Sequence, residues 1–276
     1  MKKLFLFFSF MICLFTLASC KKQEFDLSKG KIVVGLECAY APFNWTETTK
    51  TETNVPINGK PNMYAEGYDI MIAKIIAEKL NCELVVEMID WNGLVPALTS
   101  GKIDLIIAGM SPTEERKQVI NFTEEYYHSN HVILVKNNSK FANAKTFADL
   151  SGAKVIGQKS TLYDTLAKQI TEKNPQALYQ TPLSSVPEIL ISLDSSAADI
   201  TVLEEPVAQG IINANPDYKY ISLDSKFDVN PEDVIVSIGV RKIDETLLNK
   251  VNEILNTITQ DSRTSMMAKA VALQQE

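Results

Sequence analysis

An α/β fold in two lobes is predicted by three observations. Short apolar runs alternate along the chain with segments whose apolar residues recur at helical spacing. The alternation forms two successive β-α-β runs, closed by a late strand and a helix. Once an N-terminal signal is removed about 257 residues remain, which is one large domain or two small ones. No internal repeat and no low-complexity segment breaks the pattern.

In chain order, Lys31 to Leu36 reads as the first strand. From Asn44 to Glu66 the chain is polar, with Pro56, Asn58-Gly59 and Pro61, and reads as a long loop or hairpin. Tyr68, Met71, Ile72, Ile75, Ile76 and Leu80 mark an amphipathic helix. Leu84 to Ile89 is a strand, residues 92–100 a short helix stopped at Gly101, and Leu105 to Ala108 the next strand. Strands follow at Val132 to Val135 and Ala153 to Gly157. Ser160 or Thr161 then caps a helix running to about Lys173. Pro187 to Asp194 is a helix, Asp199 to Leu203 a buried strand, and Pro206 to Asn213 a helix. Val234 to Val240 is the late strand, and Leu247 to Ile258 carries the stripe of a final helix.

The N-terminus is a signal peptide over residues 1–19. Lys2 and Lys3 precede an uncharged apolar run, Leu4 to Leu17, too short to span a bilayer. Its ending, Leu17-Ala18-Ser19-Cys20, resembles a bacterial lipobox. That implies cleavage before Cys20, lipid on its thiol and new amino terminus, and a polar tether over residues 20–29. The mature chain is then expected outside the cytoplasm, a soluble body held to the membrane by lipid.

Formal charge is −7, and −9 without Lys2 and Lys3, so nucleic acid is a poor partner. With Cys13 in the signal and Cys20 lipidated, Cys38 and Cys82 remain, and both are read as free, partly buried thiols. The only histidines, His128 and His131, lack neighbours at ligand spacing and read as structural residues of a crossing segment; no metal is expected.

The stretch from Asp104 to Arg116 carries the first functional signal. A buried strand ends in Gly109, and Ser111-Pro112-Thr113-Glu114 has the form of a capping box with proline at the first helical position. Outward N–H groups of this turn, with Arg116 one turn on, make a receptor for a carboxylate. Ligands of open α/β sheets bind beyond the carboxyl ends of strands. Tyr40, Gly109, Thr161 and Glu204 each stand just past such an end.

Four ordered segments then resemble the polar amino-acid-binding proteins of ABC importers. They are residues 35–43 (GLECAYAPF), 90–98 (DWNGLVPAL), 108–116 and 199–205 (DITVLEE), with Glu66-Gly67-Tyr68-Asp69 matching the family's helix start. The resemblance implies a two-lobed periplasmic-binding fold of type II with a two-stranded hinge. The first lobe would take residues 30–127 plus 235–276, the second 132–231, and the hinge would lie near 128–131 and 232–234.

It also implies roles. Arg116 would bind the α-carboxylate, and Gly109, Ser111 and Thr161 would complete the carboxylate and ammonium contacts, although Ser111 and Thr161 could act only as helix caps. Glu204 would accept from the α-ammonium, with Glu205 the alternative. Tyr40 and Trp91 would sandwich the ligand side chain. Glu37 takes the place of an acid that meets a distal cation, so the expected ligand is arginine or lysine, with glutamine, histidine or another polar amino acid as alternatives. No catalytic residue and no cofactor is expected. The expected partners are a free L-amino acid, an ABC permease with its ATPase, and the membrane through the lipid; the chain is expected to be a monomer. A dehydratase on the same scaffold, acting on prephenate or arogenate through Glu37 or Glu204, is the enzymatic alternative. A sensor or adhesin ectodomain is a third.

Overall fold

The computed structural model describes residues 24–274; the signal segment and Cys20 lie outside the described residues. The first lobe opens with β1 (Lys31–Leu36), then β2 (Ala39–Tyr40), β3 (Asn44–Glu47), β4 (Val55–Pro56), β5 (Tyr64–Glu66), α1 (Tyr68–Lys79), β6 (Glu83–Met88), α2 (Trp91–Ser100), β7 (Leu105–Ile106), α3 (Glu114–Lys117) and β8 (Asn121–His128). The second lobe holds β9 (His131–Lys136), β10 (Lys154–Ile156), α4 (Leu162–Lys173), β11 (Leu178–Tyr179), α5 (Val186–Asp194), β12 (Ile200–Glu204), α6 (Glu205–Ala214) and β13 (Tyr218–Ile221). The chain then returns through β14 (Ile235–Val240), α7 (Glu245–Leu255) and α8 (Gln260–Leu273).

Each lobe is built on a five-stranded sheet, ordered β6-β1-β7-β14-β8 in the first and β11-β10-β12-β9-β13 in the second. β1 is parallel to β6 and β7, so Glu37, Trp91 and Gly109 all follow strand ends on one edge of that sheet. β10 is parallel to β12, which puts Gln158 and Glu204 on one edge of the other. β12 is buried along its whole length. Its Ile200, Val202 and Leu203 each contribute roughly 1.5–3 kcal/mol by leaving water. One apolar cluster runs from the first lobe through the cleft into the second, and another is confined to the second lobe.

Several elements depart from the sequence expectation. The stretch expected as a long loop or hairpin from Asn44 to Glu66 contains three short strands, which pair antiparallel and join β2 in a sheet ordered β2-β3-β5-β4. β8 is a full strand where none is expected. A second C-terminal helix, α8, follows α7. Thr259 caps it, and only Met267 and Ala270 are buried, too few to make a stripe. α8 packs on both α1 and α6, so it touches both lobes. Part of the expected tether is docked: the Phe25 N–H donates to Asp244 Oδ1 at 2.8 Å, the Glu24 carboxylate accepts the Thr246 N–H at 3.1 Å, and Leu27–Lys29 forms one 3-10 turn.

Candidate functional site

One end of the cavity is set by α3. Its N-cap is Thr113, not Ser111, and Pro112 stands outside the helix; N3 is Arg116, so a simple cap two residues on replaces the expected capping box. The Gly109 N–H does not face outward either: it donates to the Tyr126 hydroxyl at 3.1 Å. Arg116 donates from Nη1 to the Ser111 carbonyl at 2.7 Å and from Nη2 to the Ser160 carbonyl at 3.1 Å. Its guanidinium lies 5.0 Å from the Trp91 ring centroid, within the range of a cation–π contact. Trp91 Nε1 also donates to the Ser160 carbonyl, at 3.1 Å. Ser160 adopts φ +60°, in the left-handed region, and this turn faces its carbonyl toward the first lobe. Thr161 caps α4, its hydroxyl accepting from the Tyr163 N–H and donating to the Gln158 carbonyl.

The middle of the site is Glu204, at the end of β12 and buried. The Tyr40 hydroxyl donates to its Oε2 at 2.8 Å, and the Tyr163 hydroxyl also hydrogen-bonds it. The two phenols, one from each lobe, are in contact. Burial pushes the Glu204 carboxyl up to about 8, against the pull of these hydrogen bonds. Tyr40 stacks on Phe43, centroids 5.3 Å apart and planes within 5°. Gly109, at φ +60°, lets the turn approach Tyr40; a Cβ there would lie 2.7 Å from the tyrosine ring.

At the other end stands Glu37, raised to about 7 by burial and by the charge of Asp90, while a hydrogen bond from Gln158 opposes the shift. Gln158 is buried and donates to the Ser184 carbonyl at 3.1 Å. His131 pairs with Glu204 in the β9–β12 register and lies 6.0 Å from the Tyr163 ring; burial lowers it to about 4, so it is neutral at pH 7.

All eight side chains and backbone positions named from the sequence, Glu37, Tyr40, Trp91, Gly109, Ser111, Arg116, Thr161 and Glu204, line one cavity between the lobes. Four more join them: His131, Gln158, Leu162 and Tyr163. The cavity measures about 20 Å³, the room of roughly one water, because the two phenols meet across it. Glu205 is not part of it: its carboxylate accepts from the Tyr220 hydroxyl at 3.0 Å and lines separate clefts beside Asn130. Gln158 and Tyr163 flank Thr161 in a strand–turn–helix joint, which is the signal that marks them. His131 is placed by the β12 register, which only strand pairing reveals. Cys38 and Cys82 are free thiols. Among the described residues no group of histidine, cysteine, aspartate or glutamate could hold a metal ion, and no helix is long and apolar enough to cross a membrane.

Known proteins match this arrangement. Residues 32–270 match the family model of the bacterial extracellular solute-binding proteins, family 3. An arginine-binding extracellular protein, ArtP, of Bacillus subtilis is 27% identical over 98% of this chain and 97% of its own. The amino acid ABC transporter substrate-binding protein AbpA of Streptococcus pneumoniae, solved bound to L-arginine, superposes with a TM-score of 0.75 at 26% identity, covering 90% of this chain and 98% of its own. The ancestral amino acid-binding protein AncCDT-1, a precursor of cyclohexadienyl dehydratase, superposes with a TM-score of 0.69 at 28% identity, covering 89% and 96%. These neighbours share the two-lobed type II periplasmic-binding fold. With a family match over most of its length and a polar cleft between its two lobes, the chain belongs to family 3 of the bacterial extracellular solute-binding proteins.

Proposed function

We propose that the protein captures a cationic amino acid, arginine or lysine, outside the cytoplasm and delivers it to an ABC permease. One observation carries the choice of ligand. Two carboxyls, the buried Glu204 and the half-buried Glu37, face a cavity in which, among the described residues, Arg116 is the only permanent cation. A buried carboxylate without a cation is costly. A ligand with one carboxylate and two cationic groups complements that set: its α-carboxylate on Arg116, its α-ammonium on Glu204, its distal cation on Glu37. The relatives named for arginine support the same choice.

Energetically the scheme is sufficient. Each charge-assisted bond contributes roughly 1.5–3 kcal/mol, and a micromolar constant needs only about −8 kcal/mol. Entry of the ligand separates the Tyr40 and Tyr163 hydroxyls and replaces their contact with bonds to both lobes, so binding selects a closed, liganded shape that a permease can recognise. Cys20 would carry lipid. With Glu24 docked on the first lobe, only Lys21, Lys22 and Gln23 would separate the anchor from the folded body.

A second reading is a dehydratase. Burial raises Glu204 and Glu37 toward neutral pH, which suits a general acid, and AncCDT-1, a structural neighbour, is itself a precursor of cyclohexadienyl dehydratase. A thermal-shift screen of the twenty amino acids with ornithine, citrulline and cystine tests the ligand. Stabilisation by arginine or lysine is expected; stabilisation only by neutral amino acids overturns the cationic assignment. Turnover of prephenate or arogenate would decide for the enzyme.

A further inference from the structure

Asp69 is fully buried in the first turn of α1, yet it caps no backbone group of that helix; the N-cap is Gly67. Its carboxylate turns inward. Oδ1 accepts the Tyr126 hydroxyl at 2.6 Å, that same hydroxyl accepts the Gly109 N–H at 3.1 Å, and the Gly109 N–H also hydrogen-bonds the Asp69 carboxylate itself. Oδ2 accepts Asn44 Nδ2 at 2.8 Å, and Asn44 Oδ1 accepts the Cys38 N–H at 2.8 Å. Gly109 and Cys38 are both in the left-handed region, at φ +60° and +57°. They are the turns that end β7 and β1 at the cavity. Gly109 lies against the Tyr40 ring, and Asn44 is the strand partner of Tyr40.

We propose that Asp69 is a positioning residue that fixes both first-lobe walls of the binding cavity, holding the Gly109 turn directly and through Tyr126, and the Cys38–Tyr40 turn through Asn44. One carboxylate thereby sets the distance between Tyr40 and the Gly109–Ser111 backbone. Its charge is tolerated because it lies at the positive end of α1 and is met by two side-chain donors. The helix dipole would favour an aspartate here for stability alone, against the cost of burying it; the convergence of its two branches on the two left-handed turns is what a purely stabilising residue does not require.

The inference rests on the cavity being the ligand site, and its test separates the two. Asp69→Asn, Tyr126→Phe and the double variant are compared with the wild type by amide hydrogen exchange without ligand and by calorimetry with L-arginine. Leu150→Ala, in the core of the second lobe, serves as a control for lost stability. Tyr126→Phe is expected to speed exchange at Gly109 alone, and Asp69→Asn to speed it at Gly109 and Cys38 together. Each is expected to weaken arginine binding about tenfold, the size of one lost hydrogen bond to a charged group. The double variant should lose no more than Asp69→Asn. Exchange and affinity that move no further than in Leu150→Ala would overturn the proposal and leave Asp69 a stabilising residue. If Asp69→Asn fails to fold, Tyr126→Phe decides, because the ring keeps its volume. If the wild type does not bind arginine, the ligand assignment fails, and the exchange at Gly109 and Cys38 still decides the positioning role.

Discussion

The indole N–H of Trp91, in the first lobe, donates to the carbonyl of Ser160, in the second, at 3.1 Å. Arg116 donates to that same carbonyl, so the residue proposed to hold the ligand carboxylate also helps close the cleft. A ligand carboxylate competes with the Ser160 carbonyl for this guanidinium, and carries the charge that makes it the stronger acceptor.

Replacing Arg116 by alanine should therefore remove arginine binding, with an affinity loss of about a hundredfold or more for a paired carboxylate. The fold should persist, because the arginine is only partly buried and its neighbours bond to each other. Calorimetry for affinity and circular dichroism for structure check the two halves of the claim.

Glu37→Gln separates ligand classes. It removes the negative charge opposite a distal cation while keeping the side chain's size. Arginine and lysine should bind about tenfold or more weakly, and any weak binding of glutamine should hardly change. Competition measurements at fixed pH give the ratio directly.

The pH dependence has a defined sign. Glu37 and Glu204 are held above the ordinary glutamate value of 4.5, at about 7 and about 8, so the folded unliganded protein binds more protons than the unfolded chain. These two groups therefore destabilise the unliganded protein progressively as pH rises from about 4.5 to about 8. A bound cation favours their ionised forms, so arginine binding releases protons and strengthens over the upper part of that window. Affinity at about pH 6 should be lower than at about pH 8.5 by roughly tenfold or more. Titrations in buffers of different ionisation enthalpy should report the released protons; equal affinity at both pH values would contradict the assignment of cationic groups to these acids.

Tyr163→Phe removes one donor to Glu204 and the contact with the Tyr40 hydroxyl. Losing a bond that lowers the Glu204 value should raise that value further, so the arginine pH profile should shift toward higher pH. A shift in the opposite direction would remove Tyr163 from the ammonium end of the site.

Much of the cavity can be read along the chain because strand ends carry it. Glu37, Tyr40, Trp91, Gly109, Thr161 and Glu204 each stand beyond a short apolar run, and parallel strands bring such ends together. Tyr163 is hidden because an aromatic residue in the first turn of an amphipathic helix reads as core. Asp69 is hidden for a related reason: an acid at a helix start reads as a complement to the dipole, and only packing turns it inward. The β2–β5 sheet escapes notice because its strands are two to four residues long, separated by proline and Asn-Gly turns. α8 lacks an apolar stripe since it packs by one edge across both lobes.

The central claim is that the cleft binds a cationic amino acid between Arg116 and the pair Glu204 and Glu37. Calorimetric titration of the wild-type protein with L-arginine at about pH 8.5 tests it most directly. Saturable binding of one arginine per chain, in the micromolar range or tighter, is the predicted result. No heat with arginine or lysine, where glutamine or another neutral amino acid saturates the same protein, would contradict it.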